Sequence, residues 1–146
     1  VIFQTKYSKS VFLSLATLFV FHSIASLLSL YYVVKGLDKV AHFWGGLSVA
    51  IFFVWFFYFS GKFNMPAPKD SKIFFILLTL GLVALVGVCW EFFEYIANNY
   101  IAVGEMQGNL ADTMGDLLAD LLGGLAVGLY FLPKIKTEEK SGQEIK

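Results

Sequence analysis

The sequence predicts an all-α fold: a polytopic bundle of four transmembrane helices with both termini cytoplasmic. Three observations lead there. Apolar residues make up 58% of the 146 residues and charged residues only 15%, against roughly a quarter charged in an average soluble domain. Four apolar runs each reach the ~20 residues that a bilayer-crossing helix needs. The lysines are divided very unevenly among the segments between those runs. A chain of this length allows one domain, residues 1–146. A soluble fold so small has too much surface for its volume to hide this apolar content, sixteen Phe included. The composition excludes an ordinary cytosolic domain, a disordered chain and a nucleic-acid binder built on a basic patch.

The first span is Val11 to Val34. It is longer than the core of a signal peptide and no small-residue cleavage site follows it, so it reads as a retained helix. The chain begins with Val rather than Met, which leaves room for residues upstream. Lys35-Gly36 links to the second span, Leu37 to Ser60. Gly61 to Lys72, with Pro66 and Pro68, leads to the third, Ile73 to Ile96. The Asn- and Gly-rich stretch Ala97 to Asn109 leads to the fourth, Leu110 to Leu132. Pro133 is expected to stop that helix, and Lys134 to Lys146 to form a flexible charged tail. Cys89, the only cysteine, excludes an internal disulfide. In its apolar run it reads as a small buried hydrophobe.

Orientation follows from the positive-inside rule. The chain has no arginine, so its eleven lysines carry the whole signal. Lys6, Lys9, Lys62, Lys69, Lys72, Lys134, Lys136, Lys140 and Lys146 share one face if four spans alternate; only Lys35 and Lys39 lie on the other. Both termini are therefore expected in the cytoplasm of a cell whose membrane the protein crosses. Tyr31, Tyr32, Trp90, Tyr95 and Tyr100 at the outer ends, and Trp55, Tyr58 and Tyr130 at the inner ends, agree as interfacial aromatics.

The informative residues are the polar ones inside the spans. Asp38 and His42 open span two, Glu91 and Glu94 lie late in span three, and Asp112, Asp116 and Asp120 occupy the first half of span four. Alternating helix directions bring all seven to the outer half of the membrane. Residues three or four apart share a helix face, so each cluster forms one ridge. Each ridge continues inward as small residues: Gly46 and Ala50, Gly87, then Gly124 and Gly128. Small residues allow close helix approach in lipid, either within the bundle or across a homodimer face. The acidic faces are thus expected to point inward, around a polar pocket.

An Asp at the centre of a membrane helix costs about 2.5–3.5 kcal/mol on insertion scales. Asp38 lies at a helix start, where it could cap free N–H groups, and Asn109 with Asp112 fits a plain capping arrangement. Both readings stay open for these two acids. Asp120, about 12 Å beyond Asp112 at 1.5 Å per residue, cannot be a cap, nor can Asp116. Glu91 and Glu94 stand near a helix C-terminus, where negative charge opposes the dipole. Six carboxylates repel unless protons or cations neutralise them, and two lysines are too few. A divalent metal held by Asp38, His42, Glu91, Glu94, Asp112, Asp116 and Asp120 answers that need. Mg and Ca suit the carboxylates, while the histidine admits Zn or Mn. Protonated, hydrogen-bonded carboxyls are the other solution. His22, mid-span on the first helix, reads as a hydrogen-bonded core histidine that could also reach the pocket. Glu105 and Gln107 could cover the pocket from the outer loop.

Asp38-Lys-Val-Ala-His42-Phe with Gly45-Gly46 resembles the opening motif of the VanZ-like and YjdF-like small membrane proteins. Trp90-Glu91-Phe-Phe-Glu94 resembles the acidic helix of the YjdF-like group. Gln107-Gly108-Asn109-Leu-Ala-Asp112-Thr113-Met-Gly-Asp116 resembles its Q-G-D-x-x-D-T-x-x-D segment, with Asn109 in place of an Asp. The resemblance spans the second to fourth helices. It implies a multi-span membrane protein with an acidic site, and through the VanZ-like link to glycopeptide resistance, a cell-envelope lipid or precursor as substrate. Three functions are compatible with these residues. One is a metal-dependent enzyme acting on a lipid or lipid-linked substrate. Another is a cation- or proton-translocating component. The third is an accessory subunit whose metal locks the bundle.

Overall fold

The computed structural model describes residues 2–60, 72–101 and 108–143, with side chains for 7–60, 72–101 and 108–134. Its described residues are all helix and short connection: α1 (Ile2–Leu27), α2 (Leu30–Val33), α3 (Leu37–Val54), α4 (Lys72–Ile96) and α5 (Leu110–Gln143). A π-helical turn, Trp55–Phe59, extends α3, and another, Ala97–Ile101, extends α4. Four stretches are long and apolar enough to cross a membrane: Tyr7–Leu27, Leu37–Phe59, Lys72–Ile101 and Leu110–Lys134. The all-α, four-span architecture is therefore as predicted. The Pro66–Pro68 linker lies outside the described residues.

Three boundaries differ from expectation. The first span breaks at Leu28-Ser29 instead of running to Val34. Ser29 adopts the left-handed conformation, φ 55°, which costs a non-glycine residue about 1–2 kcal/mol and reverses the chain so that α2 folds back. Gly36, φ 81°, makes the next turn without that penalty. The third span continues through its π turn to Ile101, so Glu91 and Glu94 are not at a helix end. The fourth helix does not stop at Pro133 but runs through it to Gln143. A proline removes a single backbone donor, and the Lys- and Glu-rich run that follows has high helix propensity.

α3 is the central helix, packed along α5, α4 and α1, and α5 packs along α4 as well. Glycine sets the α3–α5 spacing. A Cβ on Gly46 would collide with the backbone carbonyl of Asp120, and one on Gly123 with that of Phe43. Gly124 faces Val83 and Gly128 faces Ile76, both on α4. These glycines are thus filled by the chain's own helices, the first of the two uses expected of the small residues. At the opposite end from the acids, Ala50, Val54, Phe59, Phe75, Val127 and Phe131 form the apolar core, with Tyr7 of α1 stacked on Phe59. A Ser14–Ser48 hydrogen bond of 2.7 Å ties α1 to α3. Cys89, expected to be buried, is exposed on the outside of α4. The glutamate ridge takes the inner face of that helix, and Cys89 stands two residues from Glu91, on the opposite side.

The glycine contacts make a direct prediction. Gly46→Ala and Gly123→Ala should each lower stability by about 1–3 kcal/mol through overpacking, read as a fall in the thermal unfolding midpoint in detergent. Gly81→Ala, whose Cβ would meet nothing within 4 Å, should be neutral or stabilising by up to ~1 kcal/mol from helix propensity.

Candidate metal centre

The close α3–α5 approach and the inward ridge of α4 carry the polar residues to one end of the bundle. His42, Glu91, Glu94, Asp116 and Asp120 are all buried there, and Asp38 is half-buried beside them. His42 is the hub. Its Nδ1 donates to Asp120 Oδ2 at 3.3 Å, and its Nε2 lies 3.9 Å from Asp38 Oδ1. Two triads share it: Asp38, His42 and Asp116, and His42, Glu91 and Glu94. In each, one potential ligand atom per residue lies within 4.8 Å of the others.

Each carboxylate has a distinct local role. Asp38 stands in the first turn of α3, whose N-cap is Gly36, and its carboxylate faces His42. Glu94 Oε1 accepts from the Trp90 indole N–H at 2.8 Å, one helical turn away. Glu91 Oε1 is buried with no hydrogen-bond partner. Asp120 lies over glycine: a Cβ on Gly87 would come within 2.6 Å of its Oδ2, and one on Gly45 within 3.6 Å of its Oδ1. Larger residues at Gly87 would displace the carboxylate from the imidazole.

Asp112 stands apart. Lys39 Nζ donates to Asp112 Oδ1 at 2.5 Å and to Asp116 Oδ1 at 3.4 Å. Asp112 therefore pairs with a lysine at the half-exposed rim and belongs to neither triad. The α5 cap is Asn109, whose side-chain oxygen accepts from the Ala111 and Asp112 N–H groups, as the capping reading anticipated. Glu105 and Gln107 lie outside the described residues.

A cavity of about 460 Å³ adjoins the cluster, between α1, α3 and α4. Asp38, His42, Glu94 and Asp120 border one end of it, and its remaining lining is chiefly apolar. His22 is on its wall and also hydrogen-bonded, Nδ1 lying 3.0 Å from the Tyr31 hydroxyl. The Trp90 ring meets the His22 ring edge-on at 5.5 Å. Burial above all, then the charges of Asp38 and Glu94, push the Tyr31 phenol up to about 12, so it stays protonated throughout the range in which histidine titrates.

The spacing rules group the seven residues but miss two of their partners, Lys39 and Trp90, and the Tyr31 partner of His22. Lys39 pairs with two carboxylates, which sequence cannot show because its stem spans α3 to α5. The Trp90–Glu94 contact has a readable signal, an i,i+4 donor and acceptor. The Tyr31–His22 contact has none, since it depends on the break at Ser29.

A family model described as a predicted membrane protein (DUF2238) matches residues 2–136. Neither the comparison with curated proteins nor that with solved structures finds a match.

Removing the Tyr31–His22 hydrogen bond should cost about 0.5–1.5 kcal/mol. Tyr31→Phe and His22→Phe are each expected to lower the unfolding midpoint, and the double variant to lose less than the sum of the two. Strict additivity in that cycle would show that the contact contributes nothing.

Proposed function

The chain belongs to the DUF2238 family of predicted membrane proteins, and from that premise we propose a divalent-metal enzyme acting on a cell-envelope lipid or lipid-linked substrate. The observation that carries the reading is Glu91 Oε1, a carboxylate oxygen buried without a hydrogen-bond partner in a triad with His42 and Glu94. A buried, unpaired acceptor is costly, and a cation satisfies it. His42 would ligate through Nε2, because Nδ1 is committed to Asp120. A carboxylate that accepts the second ring N–H of a ligating histidine fixes its orientation and raises its basicity. Asp120 thus becomes a positioning residue. The ion would be held by His42 with Glu91 and Glu94, or with Asp38 and Asp116. A donor set of one imidazole nitrogen and several carboxylate oxygens suits Zn or Mn better than Ca or Mg.

When bound, such an ion supplies Lewis-acid polarisation of a phosphoryl or ester oxygen, or a hydroxide. The chain's own part is to exclude water and orient the ligands. A carboxylate of whichever triad does not hold the ion stands within reach as general base. Lys39 keeps Asp112 and Asp116 from repelling each other. The apolar cavity adjoining the cluster supports an amphipathic substrate, as does the sequence resemblance to VanZ-like and YjdF-like proteins.

Elemental analysis of the purified protein tests the centre. About one Zn or Mn per chain is expected, most of it lost in His42→Ala and Glu91→Gln and retained in Asp112→Asn. Asp120→Asn should weaken metal affinity by about 10–100-fold. A parent protein without metal would sink the reading. Metal loss accompanied only by unfolding would favour a structural ion that locks the bundle. Proton flux in liposomes, absent from Asp116→Asn, would favour translocation.

The lysine distribution supports placing the centre on the outer side with both termini cytoplasmic. In a Cys89→Ala background, a membrane-impermeant maleimide should label Lys35→Cys in intact cells and Lys72→Cys only after permeabilisation. The reverse pattern would invert the topology.

A further inference from the structure

The cavity has a shape that the metal centre alone does not explain. It runs from Asp38 and His42 at its polar end to Val49 and Val83 at its apolar end. Asp38 to Val49 is eleven residues of one helix, about 16 Å at 1.5 Å per residue. That is close to half of the ~30 Å hydrocarbon thickness of a bilayer, the depth of one leaflet.

Its sides are also informative. α1 packs along α3, and α4 packs along α3 and α5, so the cavity occupies the gap that α1 and α4 leave between them. Residues from those two helices line it and face outward as well. Phe19 is 72% exposed, and Leu15 and Val86 are 40% and 38% exposed. In helices that cross a membrane these surfaces meet lipid. An apolar cavity open at mid-helix depth therefore opens sideways, toward hydrocarbon chains.

We infer that this cavity is the seat of one hydrocarbon chain of a membrane lipid, which slides in laterally between α1 and α4 and brings its phosphate-bearing end to the His42 cluster. The hydrocarbon chain follows from the apolar walls, and the phosphate is taken over from the lipid substrate proposed above. The walls offer an unbranched chain apolar contact over one leaflet's depth. At the polar end the chain has no arginine, and Lys39 is engaged with Asp112 and Asp116. A phosphate among these carboxylates must be received through a cation, so this assignment of the head rests on the metal centre proposed above. The seat for the chain does not, because it is apolar. Trp90, donating to Glu94 and lining the same cavity, marks the boundary between the two regions.

The test is photolabelling in phosphatidylcholine nanodiscs doped with a phosphatidic acid that carries a diazirine at the end of one acyl chain. Labelled peptides are mapped by mass spectrometry. The expected result is enrichment at Leu15, Phe19 and Val86 over Leu118 and Leu129, outward-facing residues of α5 that are each 57% exposed. Leu15→Trp and Val86→Trp fill the cavity without touching the metal cluster. Each should cut labelling of the cavity by about tenfold, equivalent to ~1.4 kcal/mol of affinity, with metal content unchanged in the same samples. Uniform labelling of all outward faces of the parent protein would overturn the proposal, and so would undiminished cavity labelling in both variants. The parent distribution decides the matter even if one variant fails to fold. Metal-free protein that still labels at the cavity upholds the seat and sinks the centre. Metal-loaded protein with uniform labelling does the reverse.

Discussion

Everything at the polar end depends on how closely the backbones of α3 and α5 approach. Gly46 lies directly against the Asp120 peptide and Gly123 against that of Phe43. A side chain fits either place only if the helices shift apart. Because the helices are that close, a short aspartate on one can accept a hydrogen bond from an imidazole on the other. In lipid there is no hydrophobic drive to pull helices together; van der Waals contact and interhelical hydrogen bonds must do it. The glycines provide the first and the His42–Asp120 pair the second, at the same level of the bundle. The polar cluster is thus part of what holds the helices, as well as what they hold.

Much of this was legible in the chain. The four apolar runs gave the spans because in a bilayer length and hydropathy nearly determine the element. Asp112, Asp116 and Asp120 gave their shared face because a helix has one period. Gly46, Gly87, Gly124 and Gly128 marked the close contacts, although whether a small-residue ridge faces its own bundle or another copy is a tertiary matter that spacing does not encode. The failures were also tertiary. Ser29 has nothing in its neighbourhood that announces a left-handed residue, and Pro133 announces a stop that its helix-favouring successors override. Lys39 looked like a minor surface charge. Its two carboxylate partners are 73 and 77 residues away, and only the packing of α3 on α5 brings them within reach.

The electrostatic account is graded by depth. At the rim, Lys39 neutralises Asp112 and shares in Asp116, and both the lysine and Asp112 remain partly exposed. Pairs in that setting contribute up to ~1 kcal/mol. Deeper in, among the described residues, the imidazole of His42 is the basic group placed among the acids, and it faces Asp38, Asp120 and the Glu91–Glu94 pair together. The chain's own cations therefore run out where burial is greatest. That imbalance, more than the count of acids, is what the proposed metal would relieve.

The distance in sequence between Lys39 and its partners bears on how the protein is made. A ribosome delivers α3 to the membrane well before α5. When α5 arrives it carries Asp116 and Asp120, each costly to insert alone, but Lys39 and His42 are already in place to meet them. Insertion of the last span is thereby templated by the second. Damage to the second span at these two positions would leave the acids of the last span to enter the membrane unpartnered.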